Sequence, residues 1–181
     1  SDFESAIKMR DEFLLENKNS WSPNQFHNPV NIECHKTITA REISGQVESL
    51  GKKWEAFIHG SGTGGTIEGV RQYLEADKYG ENLGQTKICM VVPEESPHGI
   101  QGIGDGKDFL ANPEDMDSVI VIKTADAIER AKSFAQSTGI LVGISSGANL
   151  LAAEKWVSKN YVSGIVVTML CDRGERYMSI Y

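Results

Sequence analysis

The segment Ile58–Val70, IHGSGTGGTIEGV, places four glycines and two threonines in the seven residues Gly60 to Thr66, directly after a short apolar run. A strand, a glycine loop and a helical pattern in that order restrict the chain strongly. When the unit recurs, successive strands run parallel and are joined by right-handed crossovers, so helices cover both faces of the sheet. The unit does recur here. Apolar spacing predicts strand 54–59, helix 66–79, strands 87–92 and 118–122, helix 125–138, an apolar run 140–144, helix 146–159 and strand 164–170. The expected class is α/β, a parallel sheet with helices on both faces. Ahead of this, Phe3, Ile7 and Leu14 recur at helical spacing behind Asp2 as N-cap, which predicts a helix over the first seventeen residues. An extended piece is expected at Gln25 and Phe26, and a turn at Asn28-Pro29. Thr39 to Glu42 has the form of a capping box opening a helix with the stripe Ile43, Val47, Leu50, closed by Gly51. The long glycine-rich connection Pro93 to Asp117 reads as functional rather than inert.

A loop between a strand and a helix exposes the first N–H groups of that helix, which lack carbonyl partners and carry the positive end of its dipole. That makes an anion site. Thr63 and Thr66 add hydroxyl donors, and no Lys or Arg falls within Gly60 to Thr66, so backbone and hydroxyls must do the cradling. A plain tight turn is the bland alternative. Gly60, Gly62 and Gly65 also satisfy G-x-G-x-x-G, the dinucleotide pattern, which requires an acid about twenty residues on. The first acid after the second strand is Glu94, beyond that spacing. A second turn, GISSGAN from Gly143 to Asn149, also stands between an apolar run and a helix. Two turns at one sheet edge suit a compact phosphorylated cofactor with a ring nitrogen; a nicotinamide dinucleotide accounts for the first alone.

Composition excludes several partners. Hydrophobic residues are 40% and charged residues 24%, as in a folded globule, and the formal net charge of -7 comes with no basic stripe to meet a nucleic-acid backbone. No apolar run approaches the ~20 residues that span a bilayer, and SDFESAIKMR lacks the apolar core of a signal peptide, so a cytoplasmic protein without nucleic acid or membrane is expected. Cys34, Cys89 and Cys171 are too scattered for a disulfide framework or a zinc site. His27, His35, His59 and His98 show no paired metal spacing and read as structural or surface residues, with no metal site.

Four passages, GSGTGGTIEGV, HGIQGIGDG, GILVGISSGAN and GERYMS, occur in the order and near the spacing that resembles cysteine synthases, the O-acetylserine sulfhydrylases, of fold type II of the pyridoxal-phosphate enzymes. The similarity runs from about Ala6 to Tyr181. It implies pyridoxal 5'-phosphate as cofactor, with Gly62, Thr63, Gly64, Gly65 and Thr66 on its phosphate and Ser145 against its pyridine nitrogen. A neutral hydroxyl there implies a moderate electron sink, suited to β-elimination. The resemblance assigns Gln25 to the substrate carboxylate and Gly102 to a closing loop that Gly104 and Gly106 keep mobile. It further implies a homodimer acting on a small amino acid and sulfide, forming L-cysteine from an activated serine such as O-acetylserine.

In this family the Schiff-base lysine and the serine-threonine-asparagine loop lie ahead of the region matched here, and none of the lysines of the sequence fits that motif. No catalytic residue is therefore expected in this chain, which should be one part of a longer enzyme and inactive alone. Residues 1–27 would be the last helix and strand of a smaller α/β domain, and 28–181 most of the large cofactor-binding domain. Two other classes remain open: a non-catalytic truncated homologue or partner-binding module that retains the phosphate cradle, and a dinucleotide-binding domain. Ala40-Arg41 and Asp105 depart from the family's Gly-Pro and Ala.

Overall fold

The computed structural model describes residues 3–76, 86–104 and 109–181. Four strands, β1 (Trp54–Gly60), β2 (Lys87–Pro93), β3 (Ser118–Ile122) and β4 (Ile165–Thr168), form one sheet in the order β3-β2-β1-β4. Every pairing is parallel. Among the described residues they are accompanied by the α-helices α1 (Phe3–Glu16), α2 (Val30–Cys34), α3 (Ala40–Ser49), α4 (Gly65–Ala76), α5 (Thr124–Thr138) and α6 (Ile144–Val157). Side chains of α3 and α4 pack with Trp54, Phe57, Ile88 and Met90 on one face of the sheet. Those of α5 and α6 pack with Ala56, Ile58, Cys89 and Val91 on the other. The sheet is thus covered on both faces, as expected. Trp54 and Phe57 share a face although three residues apart, because the pairing of β1 with β4 shifts register between Trp54 and Ala56. Among the described residues no helix is long and apolar enough to cross a membrane.

Several boundaries differ from the expectation. Thr39 is no N-cap: its backbone is helical (φ -60°, ψ -50°), within a helical run from Val30 to Ser49 that includes a π-turn at His35–Thr39. No helix starts at Thr39 for it to cap, since the chain is already helical there, with Ala40 N–H donating back to the His35 carbonyl. The run instead begins after Pro29, with Asn28 Oδ1 accepting from Val30 N–H at 3.0 Å. Gln25 and Phe26 form a turn rather than an extended piece, next to Asn24 at φ 50°. Apolar run 140–144 makes a single antiparallel bridge, Val142 with Arg173, before α6 starts at Ile144. Asp2, residues 77–79 of the helix expected over 66–79, Asp105 and Gly106 lie outside the described residues.

The seat of α6 is tight. A Cβ on Gly147 would stand 2.1 Å from the Ala127 carbonyl oxygen, so α5 and α6 approach backbone to backbone with no room for a methyl group. Gly147→Ala is expected to force the two helices apart and to lower stability by about 1–3 kcal/mol, read as the shift of a urea unfolding midpoint; an unchanged midpoint would contradict this packing.

Candidate functional site

At the carboxyl ends of the parallel strands, where open α/β sheets carry their ligands, a cavity of about 330 Å³ opens between the first turns of α4 and α6. Gly62, Thr63, Gly64, Thr66, Gly102 and Ser145 all line it, together with His59, Asn149, Cys171, Asp172 and Tyr177. Both glycine turns therefore reach one cavity. A larger groove of about 730 Å³ runs along β3, lined by residues such as Lys87, Val119, Lys155 and Trp156, and contains neither turn. Gly65 is buried one layer behind, where its Cβ would fall 2.2 Å from Asn31 Oδ1. Gln25 is exposed and does not line the cavity.

The loop is held from behind. Asn31 Nδ2 donates to Thr63 Oγ1 at 3.1 Å and to the Gln25 carbonyl at 3.0 Å, so one amide links the turn that carries Gln25 to the glycine loop. Thr63 Oγ1 also accepts from Gly65 N–H at 3.3 Å, which leaves its own proton to donate elsewhere. Thr66 Oγ1 lies 3.2 Å from His35 Nε2, and His35 Nδ1 lies 2.9 Å from Thr39 Oγ1. The long connection after β2 closes over the front: Gly104 N–H donates to Ser61 O at 2.8 Å and Leu110 N–H to Thr63 O at 3.0 Å. Gly64, at φ 87°, faces this connection, with its Cβ position 2.6 Å from Ala111 N. Its need for glycine comes from that contact and from the backbone conformation.

On the α6 side, Gly143 is the N-cap and Ser145 is the second helical residue, so the Ser145 side chain is not a cap. Ser146 Oγ accepts from Cys171 N–H at 3.0 Å. Cys171 is an exposed residue, yet its sulfur turns inward near Asn149 Nδ2 at 3.7 Å, and burial followed by the neighbouring Asp172 charge pushes the thiol pKa up. Tyr177 donates to Asp172 Oδ2 at 2.5 Å; burial first, then this bond, pushes its phenol up to about 12. Asn149, fully buried, accepts from Gly60 N–H at 2.8 Å and donates to Met169 O at 3.0 Å. Its Nδ2 also lies 3.1 Å from His59 Nδ1. Burial, and secondarily the charge of His35, lowers the His59 pKa to about 4.

Asn31, Asn149, Asp172 and Tyr177 surround the candidate site and were left unassigned by sequence reasoning, and His59, which also lines it, reads from the sequence as structural or surface. His59 carried a signal, as a polar residue directly after the apolar run Ala56–Ile58 and beside the glycine loop. Asn31 carried none.

The model of the family described as pyridoxal-phosphate dependent enzyme matches residues 1–172. The chain belongs to that family. Cysteine synthase B of Campylobacter jejuni is 39% identical over 96% of this chain and 58% of its own length. Cysteine synthase of Staphylococcus aureus is 38% identical over 96% of this chain and 57% of its own. Among solved structures, O-acetylserine dependent cystathionine beta-synthase from Helicobacter pylori superposes with a TM-score of 0.86 at 30% identity, covering 98% of this chain and 58% of that one. A hydrogen sulfide-producing enzyme from Fusobacterium nucleatum gives 0.85 at 32%, covering 96% and 53%. The chain thus spans a little over half the length of these relatives.

The cavity fits the cofactor that this pyridoxal-phosphate family uses. Among the described residues, the N–H groups of Gly62, Thr66 and Ile67 have no protein acceptor, so the α4 terminus offers several donors to an anion.

Below the ordinary histidine value of 6.5 the unfolded chain takes up a proton that His59 refuses until about pH 4. Stability should therefore fall as the pH drops from 6.5 towards 4, by about 3 kcal/mol from this residue, and His35, also lowered by burial, acts in the same direction. Urea titrations at pH 7 and pH 5 should show a smaller loss in His59→Asn than in wild type. Equal losses would remove His59 from the account.

Proposed function

We propose that the protein containing this chain is a pyridoxal-phosphate-dependent β-replacement enzyme, forming L-cysteine from an activated serine, O-acetylserine or similar, and sulfide. The observation that carries the reading is the meeting of two strand-to-helix turns, Gly62–Thr66 and Ser145, in one cavity of a chain from this family. The names of its relatives, cysteine synthases in two bacteria, support the substrate class. In this reading the N–H groups at the start of α4 and the Thr63 and Thr66 hydroxyls hold the phosphate, and Gly65 lets α4 seat against Asn31. Ser145 faces the pyridine nitrogen. Pyridoxal phosphate supplies the electron sink when bound. Gly102 stands in the turn that closes over the substrate, and Gln25 holds the substrate carboxylate from the turn that Asn31 braces. Residues 1–27 belong to a smaller domain and 28–181 to the large one, in a cytoplasmic homodimer.

None of the described residues lining the cavity is a lysine. The covalent lysine, and the proton transfer it performs, come in this reading from a segment outside this sequence. A positioned base alone is worth ~100- to 10,000-fold. Purified residues 1–181 given pyridoxal phosphate, O-acetylserine and sulfide should therefore yield no cysteine above the uncatalysed rate. Turnover comparable with a full-length cysteine synthase would mean that a lysine of this chain does the work.

In the full-length protein, Gly64→Val is expected to abolish pyridoxal-phosphate uptake, because a left-handed backbone at φ 87° and the Ala111 contact both exclude the side chain. Absorbance of the protein-bound cofactor reads the result; undiminished uptake would end the assignment of this loop to the phosphate.

A further inference from the structure

We propose that His59 is a cofactor-binding residue: a neutral imidazole whose Nε2–H donates a hydrogen bond to an anionic oxygen of pyridoxal phosphate in the cavity. The proposal rests on the cofactor reading above and adds to it a donor outside the glycine loop. The tautomer follows from the neighbours. Gly60 N–H donates to Asn149 Oδ1 at 2.8 Å, and Asn149 Nδ2 donates to the Met169 carbonyl at 3.0 Å, so the amide can point in one orientation only. The same Nδ2 stands 3.1 Å from His59 Nδ1. A nitrogen that faces a donor must offer its lone pair, which puts the ring proton on Nε2.

The cavity is the place where that proton can meet an acceptor. His59 is 7% exposed and lines the cavity, and among the described residues its Nε2 has no hydrogen-bond partner. As a residue of the cavity wall it can offer this donor to an oxygen of an anion bound there, a hydrogen bond to a charged group. The ring is also held in place. It sits on β1 immediately before Gly60, its centroid is 5.7 Å from that of Phe57, and Asn149 fixes its far edge. Burial keeps it uncharged, with a pKa of about 4, so its donor character persists at neutral pH. The competing role is a prop for Asn149, which needs Nδ1 alone.

Two substitutions in the full-length protein separate these roles. His59→Asn keeps an acceptor oxygen near the Nδ1 position, for Asn149, and cannot reach the cavity. His59→Gln sets an amide N–H near the Nε2 position and gives up the Asn149 contact. With pyridoxal phosphate titrated into the apoprotein, His59→Gln should stay within ~3-fold of wild type and His59→Asn should bind ~10- to 100-fold more weakly, the span of one hydrogen bond to a charged group. The reverse order, or three equal affinities, overturns the proposal. Nitrogen-15 spectra of the wild-type histidines should show a neutral Nε2–H form whose proton resonance moves when the cofactor is added; an Nδ1–H form overturns it. Competition by inorganic phosphate locates the acceptor: weakening in His59→Asn for both ligands marks the phosphate, and weakening for pyridoxal phosphate alone marks a ring oxygen, either result supporting the bond. A wild-type protein that takes up no pyridoxal phosphate overturns the cofactor reading itself, and this proposal with it, whereas uptake that is indifferent to both substitutions overturns this proposal alone.

Discussion

A single amide, Asn149, fixes the spacing between the two glycine turns. It is fully buried in the second turn of α6, yet it reaches the backbone at the end of β1 through Gly60 N–H and the backbone beyond β4 through the Met169 carbonyl. Three segments distant in the chain thereby share one side chain. A buried amide with its hydrogen bonds complete is rigid and specific, and one with half of them is costly, so this contact resists small displacements. The relative position of Ser145 and the Gly62–Thr66 loop depends on it, since Ser145 rides on α6 and the loop grows out of β1.

A second set of contacts holds the loop from the opposite side. Asn31 braces Thr63 from α2, and Gly104 and Leu110 donate to the Ser61 and Thr63 carbonyls from the connection after β2. The glycines serve this clamp more than they serve flexibility. Gly62 faces Gly102 O, Gly64 faces Ala111 and Gly65 faces Asn31, each at a distance no side chain could share. What remains uncommitted is the set of donors at the front of α4. That asymmetry, glycine Cα atoms packed on protein and N–H groups left open, is how a backbone loop can hold an anion without a cationic side chain.

The electrostatics of the cavity follow from this. The described residues that line it include no Lys or Arg, its histidine is held neutral by burial, and its Asp172 carboxylate is tied to Tyr177. Neutral dipoles at two helix N-termini provide the positive potential. Such a site recognises an anion by the direction of its donors rather than by net charge.

The sequence by itself determined the architecture. Apolar runs such as Trp54–Ile58, Ile88–Val92 and Val119–Ile122, alternating with helical patterns, are short-range information, and burying them leaves a parallel sheet covered on both faces as the available solution. The glycine loop and GISSGAN were legible for the same reason: each is a contiguous stretch whose residue types state the backbone it needs. Tertiary structure decided the rest. Thr39 looked like a cap, but the helix runs through it from Val30, Gly64 proved to answer to Ala111, and His59 took its tautomer from Asn149, ninety residues away along the chain. Hydrogen-bond partners brought together from distant positions leave no local trace, because any polar residue at Asn31 or Asn149 would satisfy the same pattern of exposure and period. Which atom meets which is settled only when the sheet has closed and the buried polar groups have found their partners.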